Sequence, residues 1–353
     1  MAKIAINGFG RIGRLFFRQA CLRRQAINEP SLEIIAINDL GDLENLAYLL
    51  KHDSVYRDFP GEISVKHQVS SIKESGVLII NEKEILVFQE KDPHNLPWGK
   101  LNIDVVVEST GIFESFEKAK VHLEAGAKRV VITAPAKDAE GTANGKTVLV
   151  GINDKEIKTT NLTSNGSCTT NAVAPVMAVL AKNPGISKAI LNTTHAYTAT
   201  QNLVDGPVKG KDFLRGRAGA QNLIPSTTGA ALTVGRVIKE LDGKFDGIAI
   251  RTPIICGSLA DITFLAKKKT SVKEINEILK KAAADPKMKG ILEVSEEPLV
   301  SSDIIGNENA AIVDLSFTRV IDGDLVKVLI WYENEWGYCS ILIKHVLKAA
   351  EAL

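Results

Sequence analysis

This sequence predicts two domains of different texture, an α/β domain built on a parallel sheet and an α+β domain with a largely antiparallel sheet. Three observations carry that expectation. The chain has 353 residues, and at roughly 150 residues per domain it divides into two units that can each bury a core. In the first half, short apolar runs alternate with helical patterns, as parallel strands joined by crossover helices require. In the second half, long β-like runs follow one another with few crossovers, which favours antiparallel pairing.

The elements follow in order. Residues 3–7 read as a strand and residues 11 to about 24 as a helix. Residues 33–38 (EIIAIN) read as a second strand, followed by a helical stretch at 42–50. Residues 78–80 and 84–88 read as an antiparallel hairpin inserted in the series. Residues 104–108 (DVVVE) and 129–132 (RVVI) are continuous apolar runs, expected of strands buried on both faces. Between them, 116–125 has the spacing of a crossover helix. In the second half, strands are expected at 189–194, 245–252, 261–267, 311–317 and 326–332, with a helix at 272–284 and a closing amphipathic helix at 340–352. The boundary falls near 161–168, where TNLTSNGSC breaks the periodicity.

Composition narrows the function classes. Basic and acidic side chains number 43 and 42, a net charge of +1. That leaves no overall field to hold a polyanion, which disfavours a dedicated nucleic-acid or membrane-surface role. No apolar run approaches the roughly 20 residues of a membrane span. The start MAKIAINGFGRIGR lacks the pattern of a signal peptide and reads as the first strand. Four scattered cysteines without a CxxC pair argue against a disulfide framework or zinc ribbon and fit a reducing cytoplasm.

Two motifs point to chemistry. Gly8-Phe9-Gly10-Arg11-Ile12-Gly13 follows a strand and opens a helix. Glycines there permit a tight turn and close approach of a pyrophosphate to the backbone. The next strand ends at Asp39, a carboxylate suited to ribose hydroxyls and repulsive to a 2′-phosphate, so NAD is favoured over NADP. An ordinary βαβ turn is the plainer alternative, but strand, glycines, helix and acid occur in the required order. The first domain is therefore expected to be a Rossmann-type dinucleotide-binding domain.

Cys168 lies in SNGSCTTN, ahead of an apolar helical stretch at 172–180. Ser and Asn are N-cap signals, so Cys168 falls in the first turn, where the helix dipole is expected to lower its pKa. The plainer alternative is a small buried hydrophobe, which fits Cys21, Cys256 and Cys339 better than it fits Cys168. His195 ends an apolar run and opens HAYTAT, where it can face a cleft as a base. Spacing does not place it against Cys168, and taken alone it reads more readily as a satisfied structural histidine. The other five histidines show no ligand spacing, so no metal site is read. The basic run at 209–217 (KGKDFLRGR), with Arg251 and the turn Ser226-Thr227-Thr228-Gly229, is either a phosphate site or a solvated loop.

Together these residues closely resemble the phosphorylating NAD-dependent glyceraldehyde-3-phosphate dehydrogenase family, type I. The resemblance runs through INGFGRIGR, AINDL, LLKHDSV, VVESTG, HLEAGAKRVVITAPAK, SNGSCTTN, THAYTATQ, VDGP, RGRAGAQNLIPSTTGAA, EEPLVSSD and WYENEWGY. It implies Cys168 as nucleophile and His195 as its activating base. It places Gly8, Gly10, Arg11, Ile12, Gly13, Asp39, Thr133 and Asn334 on the NAD motifs, with Lys91 more loosely so. Ser167, Thr169, Thr198, Arg215, Thr228, Gly229 and Arg251 fall on its substrate and phosphate positions. Gly206-Pro207 sits in the loop flanking the adenosine. The resemblance further implies an NAD-binding domain over 1–167 completed by a C-terminal helix at 335–353, a catalytic domain over 168–334, and a homotetramer with 209–217 near a subunit contact.

The activity implied is oxidation and phosphorylation of glyceraldehyde 3-phosphate by inorganic phosphate, through a hemithioacetal and a thioester on Cys168. Departures are few. Ala172 replaces the family's second cysteine, Gly166 precedes Ser167, and 139–146 is a slightly long loop. Pro175 matches the family, although propensity alone ends a helix there. Two alternatives stand beside this reading: an erythrose-4-phosphate dehydrogenase using water as acyl acceptor, and a non-catalytic NAD-binding regulatory protein. Phosphate dependence of the rate separates the first, and thiol titration with an activity assay the second.

Overall fold

The computed structural model describes residues 1–25, 32–67, 76–208 and 210–353. They form two compact units. One comprises Met1–Val148, Asp154–Gly166 and Leu342–Leu353, the other Leu149–Asn153 and Ser167–Ile341.

The first unit holds a nine-stranded sheet. Its strands are β1 (Ala2–Asn7), β2 (Leu32–Asn38), β3 (Ile63–Lys66), β4 (Gly76–Ile80), β5 (Lys83–Phe88), β6 (Val105–Glu108), β7 (Arg129–Ile132), β8 (Lys146–Thr147) and β9 (Leu162–Ser164). Their order is β3-β4-β5-β2-β1-β6-β7-β9-β8. β2, β1, β6, β7 and β9 pair in parallel, and β4–β5 is the expected antiparallel hairpin, extended by β3. Every residue of β6 and β7 is buried, because helices cover both faces of a sheet so connected. β1 has β2 on one side and β6 on the other. The strand order reverses between β1 and β6, and open α/β sheets bind ligands beyond the strand ends at such a point.

The helices described in this unit include α1 (Arg11–Gln25), α2 (Leu43–Lys51), α3 (Trp98–Leu101), α4 (Phe116–Ala119) and α5 (Val121–Glu124). Asp42 caps α2 by accepting the Asn45 N–H at 2.9 Å. The single helix expected over 116–125 is divided at Lys120. There Leu123 N–H and Glu124 N–H both bond to the Lys120 carbonyl, a tightening toward 3₁₀ geometry, while Lys120 itself keeps helical dihedrals of −53° and −27°.

The second unit is a seven-stranded mixed sheet backed by helices. Its strands are β10 (Ile186–Ala196), β11 (Ile224–Thr227), β12 (Phe245–Thr252), β13 (Ser258–Ala266), β14 (Leu292–Ser295), β15 (Ala311–Ile321) and β16 (Leu325–Tyr332), in the order β11-β12-β10-β13-β16-β15-β14. Four of its six pairings are antiparallel, and β10–β12 and β14–β15 are parallel. Helices α6 (Cys168–Lys182), α7 (Ala230–Val237) and α8 (Val272–Ala283) close one face. Val173, Met177 and Leu180 of α6 pack there with Leu191, Ile262 and Val328. β13 and β16 alternate buried and half-buried positions, the period-2 pattern of a sheet with one covered face.

Three differences from the sequence reading have physical causes. Residues 162–164, inside the stretch read as a break in periodicity, form strand β9, which is too short to register an alternation. Pro175 sits inside α6 rather than ending it; proline removes one N–H from the ladder, and the helix is almost wholly buried on that side. The closing helix α9 (Trp336–Glu351) begins four residues before 340, because the Glu333 carboxylate accepts the Gly337 N–H at 2.7 Å and fixes its first turn. Cys256 and Cys339 are buried as expected, whereas Cys21 is only half-buried.

Candidate active site

The turn after β1 shows why each of its glycines is a glycine. Gly8 has φ +93°, and a Cβ there would lie 2.6 Å from Thr110 N. At Gly13 a Cβ would stand 2.1 Å from the Gly8 carbonyl oxygen, so α1 packs directly on the turn. Gly10 differs. A Cβ there would meet nothing within 4 Å, and the residue is exposed. Protein packing does not require a glycine at Gly10, but close approach of a pyrophosphate to the backbone does.

Asp39 reaches back to this turn. Its carboxylate accepts the Phe9 N–H at 2.6 Å and the Gly41 N–H at 2.8 Å. Four lone-pair positions on a carboxylate leave acceptor capacity for ribose hydroxyls. Arg11 is anchored by an ion pair to buried Asp53 and stacks over Tyr56 at 5.3 Å. Ile12 and Thr133 are half-buried, and Thr133 N–H bonds to the Glu108 carbonyl at 3.0 Å. Lys91 is exposed. The turn and Asp39 fit a dinucleotide.

Under the strand ends lies a buried polar network that sequence reasoning missed. Trp98 Nε1 donates to His122 Nδ1 at 3.2 Å, so His122 carries its proton on Nε2 and donates to Glu108 Oε2 at 3.0 Å. Asn7 also donates to Glu108, and Asn38 to Asn7. Glu108 in DVVVE and His122 in HLEAGAK were visible only as a strand end and an unassigned histidine. Their pairing spans 14 residues and depends on β6 facing the crossover.

In the second unit, α6 aims the thiol. Ser167 is its N-cap, with Oγ accepting the Thr170 N–H at 3.0 Å, so Cys168 is the first helical residue. β10 delivers His195 at its end, and Cys168 Sγ lies 3.4 Å from His195 Nε2. His195 Nδ1 faces the Ala196 carbonyl at 2.7 Å and Arg251 Nη1 at 2.8 Å. β10 and β12 run side by side with His195 opposite Arg251, which is why these two meet.

The electrostatics correct one expectation. The helix start was expected to lower the Cys168 pKa. Instead burial pushes the thiol up, and the opposing charge of Arg251 and hydrogen bonds from Thr169 offset it only in part. Burial also pushes the His195 imidazole down, to about 3, helped by Arg251. Burial thus favours the uncharged form of each group, and a nucleophile arises by proton transfer from Sγ to Nε2.

Of the expected phosphate positions, Arg251 meets His195 and Thr169 lies beside Cys168. Arg251 is half-buried, and burial lowers its own pKa. Arg215 is bonded to Asp212 at 2.7 Å, Thr200 at 2.9 Å and Ser226 at 3.2 Å. Arg217 pairs with Asp205, so much of the basic run is neutralised locally; Lys209 lies outside the described residues. Thr198 Oγ1 bonds to Thr200 Oγ1 at 3.0 Å. Thr228 Oγ1 accepts the Ala230 N–H at 3.2 Å, and exposed Gly229 is the N-cap of α7. Thr169 is buried, its hydroxyl 2.8 Å from that of Tyr332.

Tyr332 is the second group the sequence did not single out. Its hydroxyl bridges Thr169 and Thr193 Oγ1, the latter at 2.7 Å, and its ring meets His195 edge-on at 5.8 Å. Asn334, two residues on, has its Oδ1 held by Gly257 N–H at 3.0 Å and by the Ser258 hydroxyl at 2.9 Å. Among the described residues one set of donor atoms is close enough for a metal, Cys256, Glu333 and Glu335 within 4.8 Å. There the Cys256 thiol donates to Glu333, which also takes the Gly337 N–H.

Two family models match. Residues 2–116 match the NAD binding domain of glyceraldehyde 3-phosphate dehydrogenase, and residues 167–334 match its C-terminal domain. The chain belongs to the glyceraldehyde-3-phosphate dehydrogenase family. Curated members similar to it include the glyceraldehyde-3-phosphate dehydrogenases of Thermotoga maritima, 47% identical over 97% of each chain, and Mycolicibacterium smegmatis, 43% identical over 99% of each. That of Geobacillus stearothermophilus is 45% identical over 95% of this chain and 94% of its own. The family is one of NAD-dependent dehydrogenases, and this membership accounts for both the glycine turn of the first unit and the thiol–imidazole pair of the second.

Proposed function

We propose that this chain oxidises and phosphorylates D-glyceraldehyde 3-phosphate to 1,3-bisphosphoglycerate with reduction of NAD. The observation that carries the reading is the 3.4 Å contact of Cys168 Sγ with His195 Nε2 at the capped start of α6. His195 Nε2 takes the thiol proton as Sγ attacks the aldehyde carbon and returns it to the resulting alkoxide, giving a hemithioacetal on Cys168 and leaving Nε2 free to accept again. The Cys168 backbone N–H, at the start of a helix, stabilises the developing oxyanion. NAD, when bound, supplies the hydride acceptor. His195 takes the hydroxyl proton and leaves a thioester on Cys168, which inorganic phosphate cleaves to release the acyl phosphate. Arg251 and Thr198 anchor the substrate phosphate, and Arg215 adds positive charge; Ser167, Thr169, Thr228 and Gly229 receive the attacking phosphate. Gly8, Gly10, Gly13, Arg11, Ile12, Asp39 and Thr133, with Lys91 and Asn334, hold the cofactor.

The test is NADH formation from glyceraldehyde 3-phosphate with phosphate present, absent, or replaced by arsenate. Turnover should require one of the two anions. A sustained rate without either would point to water as acyl acceptor, as in the erythrose 4-phosphate alternative.

The family likeness is the ground for reading the chain as a homotetramer. On the outward face of the second unit's sheet, Ile190 and Ile248 stand on adjacent strands, 62% and 53% exposed, where a subunit contact would cover them. Sedimentation of the full chain checks it. No helix among the described residues is long and apolar enough to cross a membrane, and four free thiols suit the reducing cytoplasm we assign to it.

A further inference from the structure

Three adjacent strands of the first unit end on polar residues that stand side by side. β2 closes on Asn38, β1 on Asn7 and β6 on Glu108, and the parallel register sets Asn7 opposite both of the others. Residues in register across a sheet share a face, so these side chains meet. Asn38 Nδ2 donates to Asn7 Oδ1 at 2.7 Å, and Asn7 Nδ2 donates to Glu108 Oε2 at 2.6 Å. The chain continues through His122 Nε2, 3.0 Å from the same Oε2, to Trp98 Nε1, 3.2 Å from His122 Nδ1. All five side chains are buried. They form a belt that runs across the strands.

Each strand-end residue of the belt leads into a segment at or beside the dinucleotide turn. Asn7 precedes Gly8, Asn38 precedes Asp39 and Glu108 precedes Ser109. Asn38 also holds residue 90 by both backbone groups, accepting the Glu90 N–H at 2.9 Å and donating to the Glu90 carbonyl at 3.0 Å. Glu108 Oε1 accepts the Thr110 N–H at 2.8 Å and the Thr110 hydroxyl, whose oxygen in turn takes the Ile112 N–H at 3.0 Å. Ser109 Oγ donates to the Gly8 carbonyl at 2.6 Å, and a Cβ on Gly8 would lie 2.6 Å from Thr110 N. The backbone at 109–110 is therefore packed on the glycine turn, and Glu108 sets its place. Four donors on two oxygens fill the acceptor capacity of the carboxylate, whereas an amide in its place offers one oxygen only.

We propose that Glu108 is a positioning residue for the dinucleotide. Through the Asn38–Asn7–Glu108 belt it holds the glycine turn, Asp39, residue 90 and the 109–112 segment at one fixed spacing. Glu108 is 2% exposed and acts through these neighbours. A ligand that meets several segments at once needs them arranged beforehand, and any population in which they have drifted apart lowers the apparent affinity in proportion. The inference rests on the reading of the glycine turn and Asp39 as the cofactor site.

The experiment uses the full-length chain, with NAD itself as the probe in calorimetric titration and steady-state kinetics. Glu108→Gln keeps the size of the side chain but turns an amide NH₂ toward donors that the carboxylate had accepted. Its Kd and KM for NAD should rise by about tenfold. Its kcat at saturating NAD should stay within about twofold of wild type, because Cys168 and His195 lie in the other unit. Val106→Ala, a core truncation in the same strand, is the stability control. It should lower the melting temperature and leave the Kd for NAD unchanged. An unchanged Kd in folded Glu108→Gln, or an equal rise in Val106→Ala, would overturn the proposal. If Glu108→Gln does not fold, the same two outcomes are read on His122→Phe, which removes one donor at the far end of the belt and should raise the Kd about threefold. Failure of the underlying reading looks different: Gly10→Ala would keep the wild-type KM for NAD.

Discussion

Helices α1 and α6 each begin just after a strand, and they use that position in opposite ways. α1 begins after Gly10, whose missing side chain leaves the backbone open, with Arg14 N–H bonded to the Gly10 carbonyl at 3.1 Å. α6 begins after Ser167, whose hydroxyl occupies the Thr170 N–H. At α1 the chain removes side chains so that an anion can approach the backbone. At α6 a side chain satisfies the backbone, and the first helical residue becomes a reactive thiol. Helix geometry is common to both, and the capping residue decides which use it has.

Substitutions at the two helix starts can break this contrast, beginning with the largest effect. Cys168→Ser should lower phosphate-dependent NADH formation by at least about 10³-fold while the melting temperature stays within a few degrees; near-wild-type turnover would remove Cys168 from the chemistry. At α1 the glycines should separate. Gly13→Ala forces a Cβ to 2.1 Å from the Gly8 carbonyl and should destabilise the chain by about 1–3 kcal/mol or more. Gly10→Ala should change urea stability by no more than about 1 kcal/mol yet raise the KM for NAD. Equal stability losses at both positions would mean that Gly10 is also a packing residue.

The two units can also be compared through their buried histidines. His345 in the first, bonded to Thr163 and Asn165, and His195 in the second are each held down to about 3 by burial. An unfolded histidine titrates near 6.5, so below that pH the unfolded chain binds more protons and stability falls. Their contribution is fully present above about pH 6.5 and is lost as pH drops toward 3, at up to about 1.4 kcal/mol per pH unit for each. Urea titrations from pH 7 to 4.5 read the slope, and proton NMR should find neither ring titrating above pH 5.

Asp39→Ala gives the next effect. Removing the carboxylate should raise the NADP-to-NAD ratio of kcat/KM by about tenfold, and the lost acceptor for Phe9 N–H should weaken binding of both cofactors. Ser167→Ala is the smallest, about 1 kcal/mol of stability from the lost cap, with kcat reduced because Cys168 is the next residue. An unchanged kcat would show that α6 aims its thiol without help from the cap.

Legibility followed the distance over which each feature is encoded. The glycine turn, the Ser167 cap and the fully buried strands were readable because their requirements fall within a few consecutive residues. β9 and β3 were not, since a strand of three or four residues carries too few side chains to show a period. The Trp98–His122–Glu108 chain and the Tyr332 hydroxyl between Thr169 and Thr193 were invisible for a different reason. Their partners are separated by tens to hundreds of residues, and each residue alone is compatible with ordinary packing.

The same division holds for the chemistry. By itself the sequence determined the two textures of fold, a dinucleotide turn that ends against Asp39, and one cysteine out of four at the start of a helix, because each is a local matter of backbone conformation and capping. Tertiary structure alone decided that His195, 27 residues on, stands beside that thiol. It also set the electrostatics of the pair. A helix start favours a thiolate, whereas burial pushes the thiol up and the imidazole down, toward their uncharged forms. Burial and pairing across strands are properties of the packed chain, so no stretch of sequence contains them.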